Sequence, residues 1–156
     1  MMLKKFIPCI YLLKSHAVES LTDETIIHTN PVALAKRFEE KKADELLIFD
    51  LSVSDQDHEE ALHLIQEICS EVHIPVIGAG NVKRMEDIKK LIYAGCQKAV
   101  LNYSKPVNVD LTKEVSLKFG KEKIVAAIND LDTLFDNHTL IETYVSELLN
   151  MNGLLG

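Results

Sequence analysis

The chain has 156 residues, with 17 Lys plus Arg against 24 Asp plus Glu and a net charge of −7. That length holds one domain with a real core, spanning 1–156, and its balance of 47% hydrophobic to 26% charged residues is that of a globular protein, neither disordered nor fibrous. The acidic balance excludes nucleic acid as a main partner, because phosphate neutralisation needs clustered Lys and Arg, and no apolar run reaches the roughly 20 residues of a membrane span.

In chain order, the start MMLKKFIPCIYLL joins a basic stretch to a short apolar run. Pro8 interrupts that run and no small-residue cleavage site follows, so it is not read as a signal peptide and the chain is expected in the cytoplasm. The first strand is FIPCIYLL, 6–13. Asn30 then caps a helix with Pro31 at its first position, and Val32, Leu34, Ala35 and Phe38 give that helix one apolar face. LLIFDL, 46–51, is the second strand, and Ala61, Leu62, Leu64, Ile65 and Ile68 mark the helix after it. IPVIGAG, 74–80, is the third strand, followed by a helix through Ile88, Leu91, Ile92 and Ala94 that stops at Gly95. KAVLN, 98–102, and KIVAAIN, 123–129, are the fourth and fifth strands. Helices over Val109–Phe119 and Leu140–Met151 follow them.

Strands that are apolar throughout, alternating with amphipathic helices, mean a parallel sheet covered by helices, here about five βα units. Two architectures share this pattern: a flavodoxin-like open sheet with helices on both faces, and a (βα)8 TIM-type barrel. A complete barrel typically needs about 250 residues, so length alone favours the open sheet. The three cysteines, Cys9, Cys69 and Cys96, are odd in number and widely spaced, which reads as reduced buried thiols; no zinc site, other metal or cofactor is called for.

The order of motifs points to the barrel instead. KKFIPCIYLLK, NPVALAKRFEEKKADELLIFDLSVS, IPVIGAGNV, AGCQKAVLN and FGKEKIVAAIN together resemble the cyclase subunit of imidazole glycerol phosphate synthase, a (βα)8-barrel lyase of histidine biosynthesis, from residue 3 to about residue 155. NP-x(4)-AK followed by ADEL-x-x-x-D is specific to that family and its near relatives. The resemblance implies a ribulose-phosphate-binding barrel of which this chain holds the first five βα units. It is then a truncation or the N-terminal module of something longer, with a sixth strand expected just past Gly156.

The resemblance also implies where chemistry should sit. The two family aspartates that act as general acid and base, at the C-terminal ends of the first and fifth strands, fall on Tyr11 and Asn129. An amide does not accept and release a proton near neutral pH, and a phenol with a pKa near 10 is a poor base, so both catalytic carboxylates are absent. Asp130 is the adjacent carboxylate, but neighbouring strand residues point to opposite faces. The family's substrate-contacting lysine falls on Glu19, which repels a phosphorylated ligand, in a loop KSHAVESL where Lys14 is the nearby cation. His16 and His28 in this region are read as solvated rather than ligating. Asp50 matches an aspartate at the active-site mouth and equally suits a cap on the SVS turn.

Gly80, Asn81 and Asn102 match a phosphate-binding loop and its asparagine. Ala79 and Asn81 stand where the family has further glycines, and Tyr103 is placed to fill the anion pocket with its ring. At the opposite end, Lys5, Glu45 and Lys98 match three members of a charge ring around the channel through which ammonia arrives from a glutaminase partner, with Gln97 replacing an acidic interface residue. The expectation is a catalytically degenerate cyclase relative that retains weak binding of a phosphorylated ligand and an assembly or regulatory role as a homodimer. The alternative is an active lyase subunit, in histidine biosynthesis or a sugar-amidation pathway, working with a glutaminase; the stretch Tyr11-Leu12-Leu13-Lys14 resembles cyclase-like proteins of surface-sugar amidation. A third possibility is a pure interaction module using exposed sheet edges.

Overall fold

The computed structural model describes residues 4–103 and 105–127. Its elements are β1 (Cys9–Leu13), β2 (His16–Val18), β3 (Ile26–His28), α1 (Pro31–Glu40), β4 (Leu46–Asp50), α2 (Asp55–Glu71), β5 (Val76–Ala79), α3 (Met85–Tyr93), β6 (Lys98–Asn102), α4 (Val107–Phe119) and β7 (Ile124–Ala127). Asn129, Asp130 and the helix expected at Leu140–Met151 lie outside the described residues.

Helix starts follow the residues that satisfy their free N–H groups. Asn30 Oδ1 accepts from Ala33 N–H at 3.1 Å ahead of Pro31, and Ser54 Oγ accepts from Asp57 N–H at 3.1 Å. Asp87 folds back on the start of α3, its Oδ2 accepting from the N–H groups of Lys83 and Arg84, each at 3.0 Å. The chain leaves α3 and α4 through Gly95 and Gly120, both at positive φ.

The strand order is β3-β2-β1-β4-β5-β6-β7, with the last five strands parallel. Five parallel strands in plain sequence order decide between the two architectures. An open doubly wound sheet reverses its strand order to place helices on both faces, whereas right-handed crossovers that always step the same way place every helix on one face, as in a barrel. Burial agrees. Ile10, Ile48, Ala99 and Ile124 lie in one cross-sheet row and pack in a single core with Ile65, Ile68, Ile88, Leu91 and Val115 of the helices. The alternate residues Cys9, Tyr11, Phe49 and Val100 are only half-buried. The described residues therefore form a partial TIM-type barrel, its sheet not closed.

One segment departs from expectation. KSHAVESL is no polar loop: Lys14 and Ser15, with φ of 48° and 64°, form a two-residue turn that folds β2 back onto β1, pairing Leu13 with His16 and Tyr11 with Val18. Two positive φ values are what a tight hairpin needs to match strand twist. The edge of β1 is thus hydrogen-bonded along Tyr11–Leu13, and the outer strand is β3, which exposes Ile26 and Ile27.

Candidate functional site

The C-terminal ends of the parallel strands surround a cleft of about 430 Å³. Its floor is Phe49, Ala79 and Val100 from the half of the sheet that faces away from the helices, and Leu21, from the connection between β2 and β3, reaches its rim. Gly80, Asn81 and Asn102, the three residues expected to form an anion site, all line this cleft.

Gly80 sits there for a steric reason. Its φ is +89°, and a Cβ at this position would stand 2.2 Å from the carbonyl oxygen of Asp50. Only glycine lets the β5 end and the β4 end approach so closely. Asn81, also at positive φ, holds the two ends together, its Nδ2 donating to Ser52 O at 3.0 Å and to Ser52 Oγ at 3.1 Å. Asn102 ends β6, and its carbonyl accepts from Asn108 Nδ2 at 2.9 Å. Asn108 is 1% exposed, and its Oδ1 has no partner among the described residues.

Two further lining residues were not anticipated. Lys83 and Lys105, both exposed, also line the cleft, and no Asp or Glu lines it among the described residues. In a chain of net charge −7 that local excess is a departure from the average surface. The signal was legible, since each lysine stands three residues after a predicted anion-binding position: Lys83 after Gly80 and Lys105 after Asn102. Two expected obstacles are not among the lining residues. Tyr103 is 2% exposed and does not fill the cleft, and Glu19 belongs to the β2–β3 connection, its N–H donating to Thr25 O at 2.9 Å.

Tyr11 and Asp50 lie at the same end of the sheet, but neither lines the cleft. Tyr11 is half-buried with its ring centroid 6.1 Å from that of Phe49. The neighbouring Cys9 raises the Tyr11 phenol above its ordinary value, first through unfavourable charge interaction, then with burial and a hydrogen bond adding to the effect. Burial pushes the Cys9 thiol up to about 11. The Tyr11 hydroxyl is therefore held in its protonated form more firmly than that of an isolated tyrosine, so less of it is available as a base near neutral pH.

Asp50 is 3% exposed and its bonds run into the turn after β4. Oδ1 accepts from Ser52 N–H at 2.9 Å and from Ser52 Oγ at 2.5 Å, while Oδ2 meets His58 Nδ1, in the first turns of α2, at 2.5 Å. The carboxylate thus ties the β4–α2 connection together.

His16 and His28 are strand residues rather than loop residues. His28 Nδ1 accepts from Asn30 N–H at 3.0 Å, which helps set the entry to α1, and His16 Nδ1 is buried without a partner among the described residues.

At the N-terminal end of the strands, Lys5, Glu45 and Lys98 meet around a second cavity of about 450 Å³. Glu45 Oε2 accepts from Lys5 Nζ at 3.2 Å, and Lys98 Nζ lies 3.8 Å from Glu45 Oε1. Glu45 and Lys98 are 4% and 5% exposed. Burial holds the Lys98 ammonium below its ordinary pKa; Glu45 opposes that shift and Lys5 adds to it. Gln97 borders the same cavity.

Comparison with known proteins agrees with this arrangement. Residues 5–148 match the family described as histidine biosynthesis protein. The chain is 32% identical over 130 residues to imidazole glycerol phosphate synthase subunit HisF of Exiguobacterium sibiricum, an alignment covering 83% of this chain and 52% of that protein. The chain therefore spans about half the length of the curated relative it matches. A parallel sheet wound in one direction, a glycine-dependent loop at its C-terminal end and a match over nearly all its residues place this chain in the histidine biosynthesis protein family, with a HisF-like cyclase as its relative.

Proposed function

We propose that this chain is a cyclase-fold module of the cytoplasm that binds the phosphate group of a small molecule at the C-terminal mouth of its sheet and performs no acid-base cyclisation. The observation that carries the reading is the cleft itself: Gly80, Asn81 and Asn102 converge there with Lys83 and Lys105, with no carboxylate in its described lining. A phosphate dianion is attracted by both charges and accepts from amide donors. Against turnover stands Tyr11, a phenol with a raised pKa at the position where the family resemblance implies a catalytic carboxylate. General acid-base groups contribute typically 10² to 10⁴-fold each, so their loss removes the chemistry while leaving the fold.

The assembly part of the proposal is a homodimer, supported by the half-buried apolar residues of the sheet face turned away from the helices and by the exposed Ile26 and Ile27 of β3. Among the described residues no helix is long and apolar enough to cross a membrane. Titrating the 156-residue protein with inorganic phosphate, followed by amide NMR, is expected to shift Gly80, Asn81 and Asn102 together with a high micromolar or weaker Kd. Shifts confined to the outer helices would reject the site. Sedimentation equilibrium at micromolar concentration is expected to give a dimer, and a monomer that binds no apolar dye would reject that assembly.

One observation favours a second reading, an active subunit working with a glutaminase. Lys5, Glu45 and Lys98 form a buried charge cluster at the end of the sheet where the family resemblance implies an ammonia channel. Mixing the chain with the glutaminase subunit of a related synthase separates the readings, since a complex with stimulated glutamine hydrolysis supports the second and no complex supports the first.

A further inference from the structure

Cys69 and Cys96 are far apart in sequence and meet in the fold. Cys69 is on the C-terminal half of α2, on the side facing the corner between α3 and β6, and Cys96 follows Gly95 in that corner. Two glycines make the room. A Cβ on Gly95 would lie 2.8 Å from Cys69 Cβ and 3.4 Å from its Sγ, and a Cβ on Gly78 of β5 would lie 3.0 Å from Cys96 Sγ. The two thiols hydrogen-bond to each other. Cys96 is buried, Cys69 is partly exposed, and neither takes part in the cleft or in the N-terminal charge cluster.

We infer that Cys69 and Cys96 form a redox-sensitive dithiol, with Cys69 the thiol that reacts with an oxidant from solvent and Cys96 the one that resolves it into an internal disulfide. The asymmetry of the pair supports the assignment of roles. The hydrogen bond from Cys96 favours the Cys69 thiolate and lowers its pKa, while that same bond, then burial, raises the Cys96 thiol. The oxidant is a peroxide. The Cys69 thiolate attacks one peroxide oxygen, the O–O bond breaks, and the departing oxygen leaves as water after taking a proton, which makes Cys69 a sulfenic acid. The Cys96 sulfur then attacks Cys69 Sγ, the S–O bond breaks and a second water leaves. In sum, two thiols and one peroxide give one disulfide and two waters. The new bond fastens α2 to the corner that starts β6, the strand whose far end carries Asn102.

The test is peroxide oxidation of the reduced, folded 156-residue chain. Free thiols are expected to fall from three to one, with a mass loss of two hydrogens, a Cys69–Cys96 linked peptide in the digest and a raised thermal midpoint. In Cys96→Ser the sulfenic acid on Cys69 has no resolving thiol and is expected to be trapped by dimedone, whereas Cys69→Ser is expected to react more than tenfold slower. Should Cys96→Ser fail to fold, the linked peptide in the unsubstituted chain still decides. Direct accumulation of sulfinic acid on Cys69 in the unsubstituted chain, a link between two chains, or a link through Cys9 would overturn the inference.

Discussion

The two ends of the parallel sheet carry opposite kinds of charge arrangement. At the N-terminal end, Lys5, Glu45 and Lys98 satisfy one another, and two of the three are almost wholly buried. At the C-terminal end, the buried carboxylates of Asp50 and Asp87 are bound within the loops, Asp50 by Ser52 and His58 and Asp87 by the N–H groups of Lys83 and Arg84, and the described lining of the cleft includes Lys83 and Lys105 but no carboxylate. The N-terminal cluster pairs one buried carboxylate with two ammonium groups, so its residues bear on stability. The described lining of the C-terminal cleft carries lysines and no carboxylate, which is the feature that supports the proposed phosphate site.

Substitutions at the two ends sharpen this contrast. The largest effect is expected for Gly80→Ala, where both a positive φ and a 2.2 Å approach to the Asp50 carbonyl oppose a side chain; unfolding by urea should show a loss of about 3 kcal/mol or more. Glu45→Gln is expected to cost about 3 kcal/mol by leaving two ammonium groups without their shared partner, while Lys98→Met should be close to neutral, since it removes a desolvated charge and keeps the Lys5–Glu45 pair. An equal cost for both substitutions would break the claim that Glu45 is the centre of the cluster. Asp50→Ala should lose about 2 kcal/mol by leaving Ser52 and His58 without their acceptor. The smallest effect is expected on stability and the clearest on binding for Lys83→Ala and Lys105→Ala, each weakening phosphate by about fivefold with an unchanged urea midpoint.

Much of the fold is legible in the sequence. Asn30-Pro31, Gly95 and Gly120 announce helix ends because they are residue types that relieve the backbone there, and the apolar runs at 46–51 and 98–102 announce buried parallel strands. Gly80, Asn81 and Asn102 were grouped by family resemblance, and the sheet brings them to one cleft. The β1–β2 hairpin was not legible, because Lys14-Ser15 makes a turn that usually declares itself with Asn-Gly. The partner of Asp50 is not legible in the sequence, because His58, eight residues on, returns to it only through the packing of α2. The Cys69–Cys96 contact depends on helix packing against a strand corner, a tertiary fact that spacing in sequence does not encode.

The most direct measurement of the central claim is a steady-state assay of the 156-residue chain for imidazole glycerol phosphate formation with ammonia as nitrogen donor, run beside the phosphate titration. Phosphate-dependent shifts at Gly80, Asn81 and Asn102 with no turnover above background are the predicted result. Turnover at a rate typical of the family, from a chain carrying Tyr11 and Asn129 where the acid and base are expected, would contradict it.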